Sequence, residues 1–155
     1  MISVLFVCLG NICRSPLAEA LFNNHVNQQR LNDEFIADSA GTASYHLGDL
    51  ADKRTRNMAL KISNINITHK ARQFKAIDFM NFDYIVAMDQ SNFQNIMKLR
   101  PENAKAQVLL MRHFDSMIQN ENAIPDPFYG TESDFEEVHY MLNDCTLGLL
   151  KKLIK

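Results

Sequence analysis

The run Val4-Leu5-Phe6-Val7-Cys8-Leu9-Gly10-Asn11-Ile12-Cys13-Arg14-Ser15-Pro16 constrains this chain more than any other part of it. Residues 2–8 form an apolar stretch of strand length that stops at Gly10-Asn11, the pattern of a strand buried on both faces in a parallel sheet. Ser15-Pro16 offers a hydroxyl for a helix N-cap and a proline for the first helical position. Leu17, Leu21, Phe22 and Val26 then follow at helical spacing up to about Gln29. A strand that feeds a helix through so short a loop carries that loop at the carboxyl end of the sheet, where ligands of such sheets sit.

The rest of the chain repeats this alternation. Asp33–Ala40 reads as a strand, Leu50–Lys61 as a helix, Phe82–Met88 as an apolar strand, and Asp89-Gln90-Ser91 as the start of a helix that Pro101 stops. Gln107–Met111 reads as a fourth strand, residues 116–133 as a polar loop, and Asp134–Ile154 as a long amphipathic helix. Strands alternating with helices predict an α/β three-layer sandwich: a four-stranded, twisted parallel sheet with helices on both faces and a phosphate-binding loop after the first strand. With 155 residues and no linker, repeat or low-complexity segment, residues 1–155 are expected to form one domain.

Composition narrows the function classes. A net charge of −2 gives no global attraction for nucleic acid or an anionic membrane, so any affinity for an anion must be local. The apolar start is too short to span a bilayer and lacks the flanks of a signal peptide. Three cysteines, an odd number, argue against a disulfide-stapled scaffold. A reducing cytosol is the expected location, and it would keep a thiol nucleophile reduced.

Cys8 and Arg14 bracket the loop. Successive backbone N–H groups of a tight loop can converge on one anion, and a helix N-terminus adds its positive dipole end. Arg14 can hold two phosphate oxygens bidentately. The same field favours a thiolate at Cys8, Ser15 can donate to its sulfur, and Gly10-Asn11 tolerate left-handed backbone. Alone, Cys8 reads as a packed core cysteine; Gly10, Arg14, Ser15 and Pro16 around it turn the reading to a nucleophile. A phosphocysteine mechanism also needs an acid for the departing oxygen. Asp126 is the candidate, held between Pro125 and Pro127 beside Phe128 and Tyr129, although an Asp-Pro pair is equally a plain turn.

The chain resembles the low-molecular-weight protein tyrosine phosphatases. The resemblance runs over nearly its whole length and rests on the loop from Val7 to Pro16, Asp38-Ser39-Ala40-Gly41-Thr42, His69-Lys70-Ala71-Arg72-Gln73, Phe82 to Asp89, and Asp126-Pro127-Phe128-Tyr129-Gly130. It implies that Cys8 attacks phosphorus, that Arg14 and the amides of Leu9, Gly10, Asn11, Ile12 and Cys13 bind the phosphoryl group, and that Asp126 serves as acid and then base. It implies that Asn11, Ser15, Ser39, His69 and Asp89 support the loop, and that Leu9, Ile12, Tyr45, Phe128 and Tyr129 face the substrate ring. It gives Cys13 the role of a redox partner forming a reversible disulfide with Cys8; the plainer reading is a cysteine packed beneath the loop. No metal or organic cofactor is implied. The implied partner is a phosphotyrosine-containing protein, with no nucleic acid and no membrane, and the expected assembly is a monomer or weak homodimer.

Two departures stand out. Phe128 replaces the first tyrosine of an Asp-Pro-Tyr-Tyr pattern, and Tyr45 stands where some members carry tryptophan. Related activities on the same loop are weighed against this. Arsenate reduction needs further mid-chain cysteines, and none lies between Cys13 and Cys145. Protein-arginine phosphatases typically carry threonine where this chain has Ile12, whose apolar side chain suits a phenyl ring. A non-catalytic phosphate-binding module would lack the nucleophile or the acid. Cys145 is expected in the core. His25, His46, His113 and His139 are expected as surface or structural residues, Met80, Met88, Met97, Met111 and Met141 as core filler, and Lys151, Lys152 and Lys155 as a charged end on the last helix.

Overall fold

The computed structural model describes residues 1–117 and 122–154. Residues 118–121 of the expected polar loop, and Lys155, lie outside the described residues. The elements run β1 (Ile2–Cys8), α1 (Arg14–Gln28), β2 (Phe35–Gly41), α2 (Lys53–Ser63), α3 (Asp78–Asn81), β3 (Tyr84–Ala87), α4 (Gln90–Met97), β4 (Gln107–Leu110), a 3₁₀ turn (Met111–Phe114) and α5 (Glu132–Leu153). The four strands form one parallel sheet in the order β2-β1-β3-β4. Among the described residues no helix is long and apolar enough to cross a membrane.

β1 is central, and its alternation builds two cores. Val4, Phe6 and Cys8 point into a cluster with Leu17, Leu21 and Phe22 of α1 and Leu142, Cys145 and Leu149 of α5. Leu5 and Val7 point the other way, onto Phe74, Phe79 of α3 and Ile96 of α4. A strand sandwiched in this manner has no polar face, hence the continuous apolar run. The sheet therefore carries helices on both faces, and Cys8, the last residue of β1, emerges at its carboxyl end.

Several sequence boundaries shift. α1 begins at Arg14 with Cys13 in the cap position, and no side chain caps it. Ser15 is thus inside the first turn rather than the N-cap, because its hydroxyl is turned inward to the Cys8 sulfur; Pro16 follows as the third helical residue. β3 excludes Phe82, Asp83 and Met88, and β2 excludes Asp33 and Glu34. α3 and the 3₁₀ turn were not expected; at four residues each they carry no readable periodicity. Met88 and Met111 are core residues, but Met80 and Met97 are exposed. His25 and His139 are buried, bonded to Thr146 and Ser63 respectively, while His113 lies at the surface. Lys151 and Lys152 sit exposed in the last turn of α5.

Candidate active site

The backbone from Cys8 to Arg14 folds over its own first side chain. Asn11 takes a left-handed conformation at φ 57°, a conformation asparagine tolerates better than most residues. That turn aims its backbone N–H at the Cys8 sulfur, 3.3 Å away. The loop is pinned from outside by the residues that follow β2: Thr42 N–H donates to the Cys8 carbonyl and Ala43 N–H to that of Leu9, both at 2.9 Å. Gly41 makes this approach possible. A Cβ there would lie 2.7 Å from the Leu9 carbonyl oxygen and 3.1 Å from the Asn11 nitrogen.

The buried Asn11 side chain fixes the direction of a hydrogen-bond network. Its Oδ1 accepts from the Arg72 backbone N–H at 3.0 Å, a group that can only donate. Its Nδ2 therefore donates to Ser15 Oγ at 2.7 Å and Ser39 Oγ at 3.0 Å. Ser39 passes its own proton to Glu19 Oε1 at 2.7 Å. Ser15 has its hydroxyl proton left for the Cys8 sulfur at 3.0 Å, a closer partner than the Ala40 carbonyl at 3.4 Å. His69 Nε2 completes the set by donating to Asn11 Oδ1 at 2.8 Å. Two donors thus converge on Cys8, which suits an anionic sulfur.

Arg14, 3% exposed at its side chain, is held by Asp89 Oδ2 at 2.8 Å and by the Ile124 carbonyl at 2.9 Å. Both partners take Nη1, so Nε and Nη2 remain for an oxyanion. Asp89 uses its other oxygen to cap α4 through the Asn92 N–H at 2.8 Å. Burial works against the Arg14 charge, but the Cys8 sulfur and the carboxylates of Asp89 and Asp126 outweigh it and raise its pKa.

Asp126 lies across the same cavity, its Oδ2 3.5 Å from Arg14 Nη2. Its Oδ1 accepts from the Phe128 N–H at 3.2 Å, closing a local turn. The segment is anchored on both sides. Ile124, fully buried, donates to the Met88 carbonyl at 2.8 Å. Arg54 of α2, paired in fork geometry with Asp52, donates to the Phe128 carbonyl at 3.0 Å. The turn ends at Gly130, where a Cβ would collide with Asp134, the residue that forms the capping box of α5 with Thr131.

The cavity encloses about 510 Å³ of space, part of it open to solvent, and is lined by Cys8, Leu9, Gly10, Ile12, Cys13, Arg14, Tyr45, His46, Asp126, Phe128 and Tyr129. Ile12 is buried in its wall, while Tyr45 and Tyr129 stand out at the rim and Leu9 is partly exposed. Phe128 and Tyr129 meet edge to face with ring centroids 4.9 Å apart. All the sequence-selected residues thus gather here or directly behind the loop. Sequence reasoning missed His46, which it placed among surface or structural histidines, and Arg54, whose partner is 74 residues away. Glu19 and Arg72 were also missed as parts of the support.

Cys13 lies buried beneath the loop. Burial, reinforced by the charge of Asp52, pushes its thiol up to about 12. Cys13 packs with Ile12, Met58, Ala71 and Phe135. Cys145 is likewise a buried thiol, pushed to about 12 by burial first and by Asp115 and Asp144.

Comparison with known proteins bears on this arrangement directly. The family model for low molecular weight phosphotyrosine protein phosphatase matches residues 3–155. A protein of that name from Schizosaccharomyces pombe is 42% identical over 153 residues, 98% of this chain and 97% of its own length. One of the same name from Saccharomyces cerevisiae is 44% identical, covering 97% of this chain and 94% of its own. Among solved structures, the protein tyrosine phosphatase of Entamoeba histolytica with Hepes in its active site superposes with a TM-score of 0.92 at 40% identity, over 99% of this chain and 97% of that one. Fold, loop and sequence agree over the full length: the chain belongs to the low molecular weight phosphotyrosine protein phosphatase family.

Proposed function

We propose that the protein hydrolyses phosphotyrosine in protein substrates, and small aryl phosphates, through a phosphocysteine. The observation that carries this is the convergence of Asn11 N–H and Ser15 Oγ on the Cys8 sulfur, in one cavity with Arg14 and Asp126.

In the first step Cys8 Sγ attacks phosphorus and the P–O bond to the ring breaks. The bonding pair leaves on the phenolic oxygen, which takes a proton from Asp126. Loop N–H groups, the N-terminus of α1 and Arg14 hold the three equatorial oxygens as charge moves across them. In the second step Asp126 accepts a proton from water, the water oxygen attacks phosphorus, and the S–P bond breaks. The sulfur departs as thiolate, received by the Ser15 hydroxyl and Asn11 N–H. Every proton and charge is handled by the chain's own groups. Leu9, Ile12, Tyr45, Phe128 and Tyr129 supply an apolar slot for a phenyl ring, and the buried, apolar Ile12 favours that ring over a guanidinium. The reading extends to a cytoplasmic enzyme, monomeric or weakly dimeric, whose partner is a phosphotyrosine-bearing protein rather than a nucleic acid or a membrane. A reducing compartment keeps Cys8 available.

The test is phosphate release from a phosphotyrosine peptide, with phosphoserine and phosphoarginine substrates in parallel. Turnover on phosphotyrosine well above the other two is expected. Preference for phosphoarginine would transfer the activity to that substrate, and no turnover on any substrate under reducing conditions would leave a phosphate-binding module.

A further inference from the structure

Asp126, the proposed acid, stands in a segment with no helix or strand of its own: residues 122–131 lead irregularly into α5. A proton donor must nevertheless meet the leaving oxygen within hydrogen-bond reach. On the upstream side Ile124 is held by Met88 and Arg14. On the downstream side the backbone of Phe128 is gripped at both ends. Its N–H donates to Asp126 Oδ1 at 3.2 Å, and its carbonyl accepts from Arg54 Nη2 at 3.0 Å. One residue thus joins the acid to a guanidinium of α2.

That guanidinium is itself fixed. Its Nε and Nη2 meet the two oxygens of Asp52 at 3.0 and 2.9 Å, a fork that arginine forms and lysine does not. Its Cζ lies 4.3 Å from the ring centroid of Phe135 and 5.6 Å from that of Phe128, within range of the attraction between a cation and an aromatic face. Asp52 is anchored in turn. Its side chain caps α2 by accepting from the Arg54 N–H at 2.8 Å, and its own N–H donates to the Ile12 carbonyl at 2.8 Å. Hydrogen bonding from Arg54 holds the Asp52 carboxyl below its usual range, so the pair stays charged at neutral pH. A continuous path therefore runs from the phosphate-holding loop to the acid: Ile12, Asp52, Arg54, Phe128, Asp126.

We propose that Arg54 is a positioning residue for the acid: by tying the Phe128 carbonyl to Asp52 and so to the phosphate-holding loop, it sets where the Asp126 carboxyl stands relative to the leaving oxygen. Arg54 does not line the cavity, so it acts through what it holds. The inference rests on Asp126 being the acid and names what places it.

The experiment compares phenyl phosphate with p-nitrophenyl phosphate for wild type, Arg54→Met, Asp126→Asn and the double variant. The quantity read is kcat/KM, which reports the step that breaks the P–O bond. Methionine keeps an apolar stem against Phe135 but has no donor for the carbonyl. Arg54→Met is expected to lower kcat/KM on phenyl phosphate by about tenfold, misplacement by about 1 Å being worth up to about 10²-fold. The loss on p-nitrophenyl phosphate, whose leaving group is far less basic, should be much smaller. In the Asp126→Asn background the same substitution should cost little on either substrate, because two residues acting through one carboxyl are not additive. A merely structural role reduces the folded fraction and scales both substrates together. Equal loss on the two substrates, the same loss with and without Asp126, or no loss at all would each overturn the proposal. If Asp126→Asn alone shows no dependence on the leaving group, the acid reading has failed and the proposal falls with it; that pair of rates identifies this case without reference to Arg54. Should the methionine variant not fold, Arg54→Lys, which keeps the charge but not the fork, carries the same comparison.

Discussion

The Arg14 guanidinium donates to the Ile124 carbonyl oxygen at 2.9 Å, and that bond ties the phosphate-holding end of the cavity to its acid. Ile124 is simultaneously fastened to the end of β3 through Met88, and Asp126 follows two residues later. The proposed acid is therefore positioned by the same side chain that would bind the phosphoryl group, without a regular element of its own.

If Asp126 supplies the proton, its loss should matter in proportion to how badly the leaving group needs one. Asp126→Asn is expected to lower kcat on phenyl phosphate or phosphotyrosine by about 10²–10⁴-fold. The loss on p-nitrophenyl phosphate, whose leaving group is far less basic, should be much smaller. Steady-state rates across a series of aryl phosphates check this; an equal loss along the series would remove Asp126 from proton transfer.

Asp89 serves two elements, with one oxygen on the α4 cap and one on Arg14. Asp89→Ala is expected to cost about 1 kcal/mol for the cap alone, a fall in Tm of about 2–4 °C for a chain of this size. Asp89→Asn keeps a capping oxygen but not the charge. It should retain most of the Tm while weakening competitive inhibition by inorganic phosphate, as Arg14 loses its anchor. Calorimetry and inhibition assays separate the two effects.

Gly41 holds its place by contact. A methyl group there must push the Leu9 carbonyl and Asn11 nitrogen apart, and forced overpacking of this kind costs about 1–3 kcal/mol. Gly41→Ala is expected to lower stability by that amount in urea unfolding. It should also reduce kcat/KM, because the displaced atoms belong to the loop that grips the phosphoryl group. Unchanged stability and activity would mean that the loop is softer than its hydrogen bonds imply.

Glu19 gives the protein a pH signature. Burial, opposed by the Ser39 hydrogen bond and reinforced by Asp38, raises its pKa from 4.5 to about 7. The native state therefore holds this proton more tightly than the unfolded chain. The resulting stabilisation is complete below about 4.5 and is lost as pH rises toward about 7. Burial moves His69 in the opposite sense, toward its neutral form. Glu19→Gln keeps an acceptor for Ser39 without the titration, so its stability relative to wild type should rise by on the order of 1–3 kcal/mol across that window. Urea unfolding at a series of pH values measures it.

Much of this architecture was readable from local pattern. The uninterrupted apolar run of β1 followed by Gly10, Arg14 and Pro16 marked a buried strand, an anion-holding loop and a helix, because each step is encoded by adjacent residues. Ser15 was misplaced as a cap, since nothing local distinguishes a hydroxyl that closes a helix from one turned onto a sulfur. α3 and the 3₁₀ turn were too short to show a period. Arg54 and His46 were invisible because their meaning depends on contacts across the fold: Arg54 acts on a carbonyl 74 residues away, and His46 enters the cavity beside Phe128. The raised pKa of the Cys13 thiol depends on burial among side chains of α2 and α5, which the sequence expresses only once those helices are packed.

In the proposed reaction Cys8 carries the phosphoryl group. Rapid acid quench of the enzyme turning over a phosphotyrosine peptide, followed by proteolysis and mass spectrometry, tests it most directly. One added phosphoryl group is expected on the peptide containing Cys8. It should accumulate in Asp126→Asn given an activated aryl phosphate, and be absent in Cys8→Ser, which should release no phosphate. Turnover that persists in Cys8→Ser, or a phosphoryl group found on another residue, would contradict it.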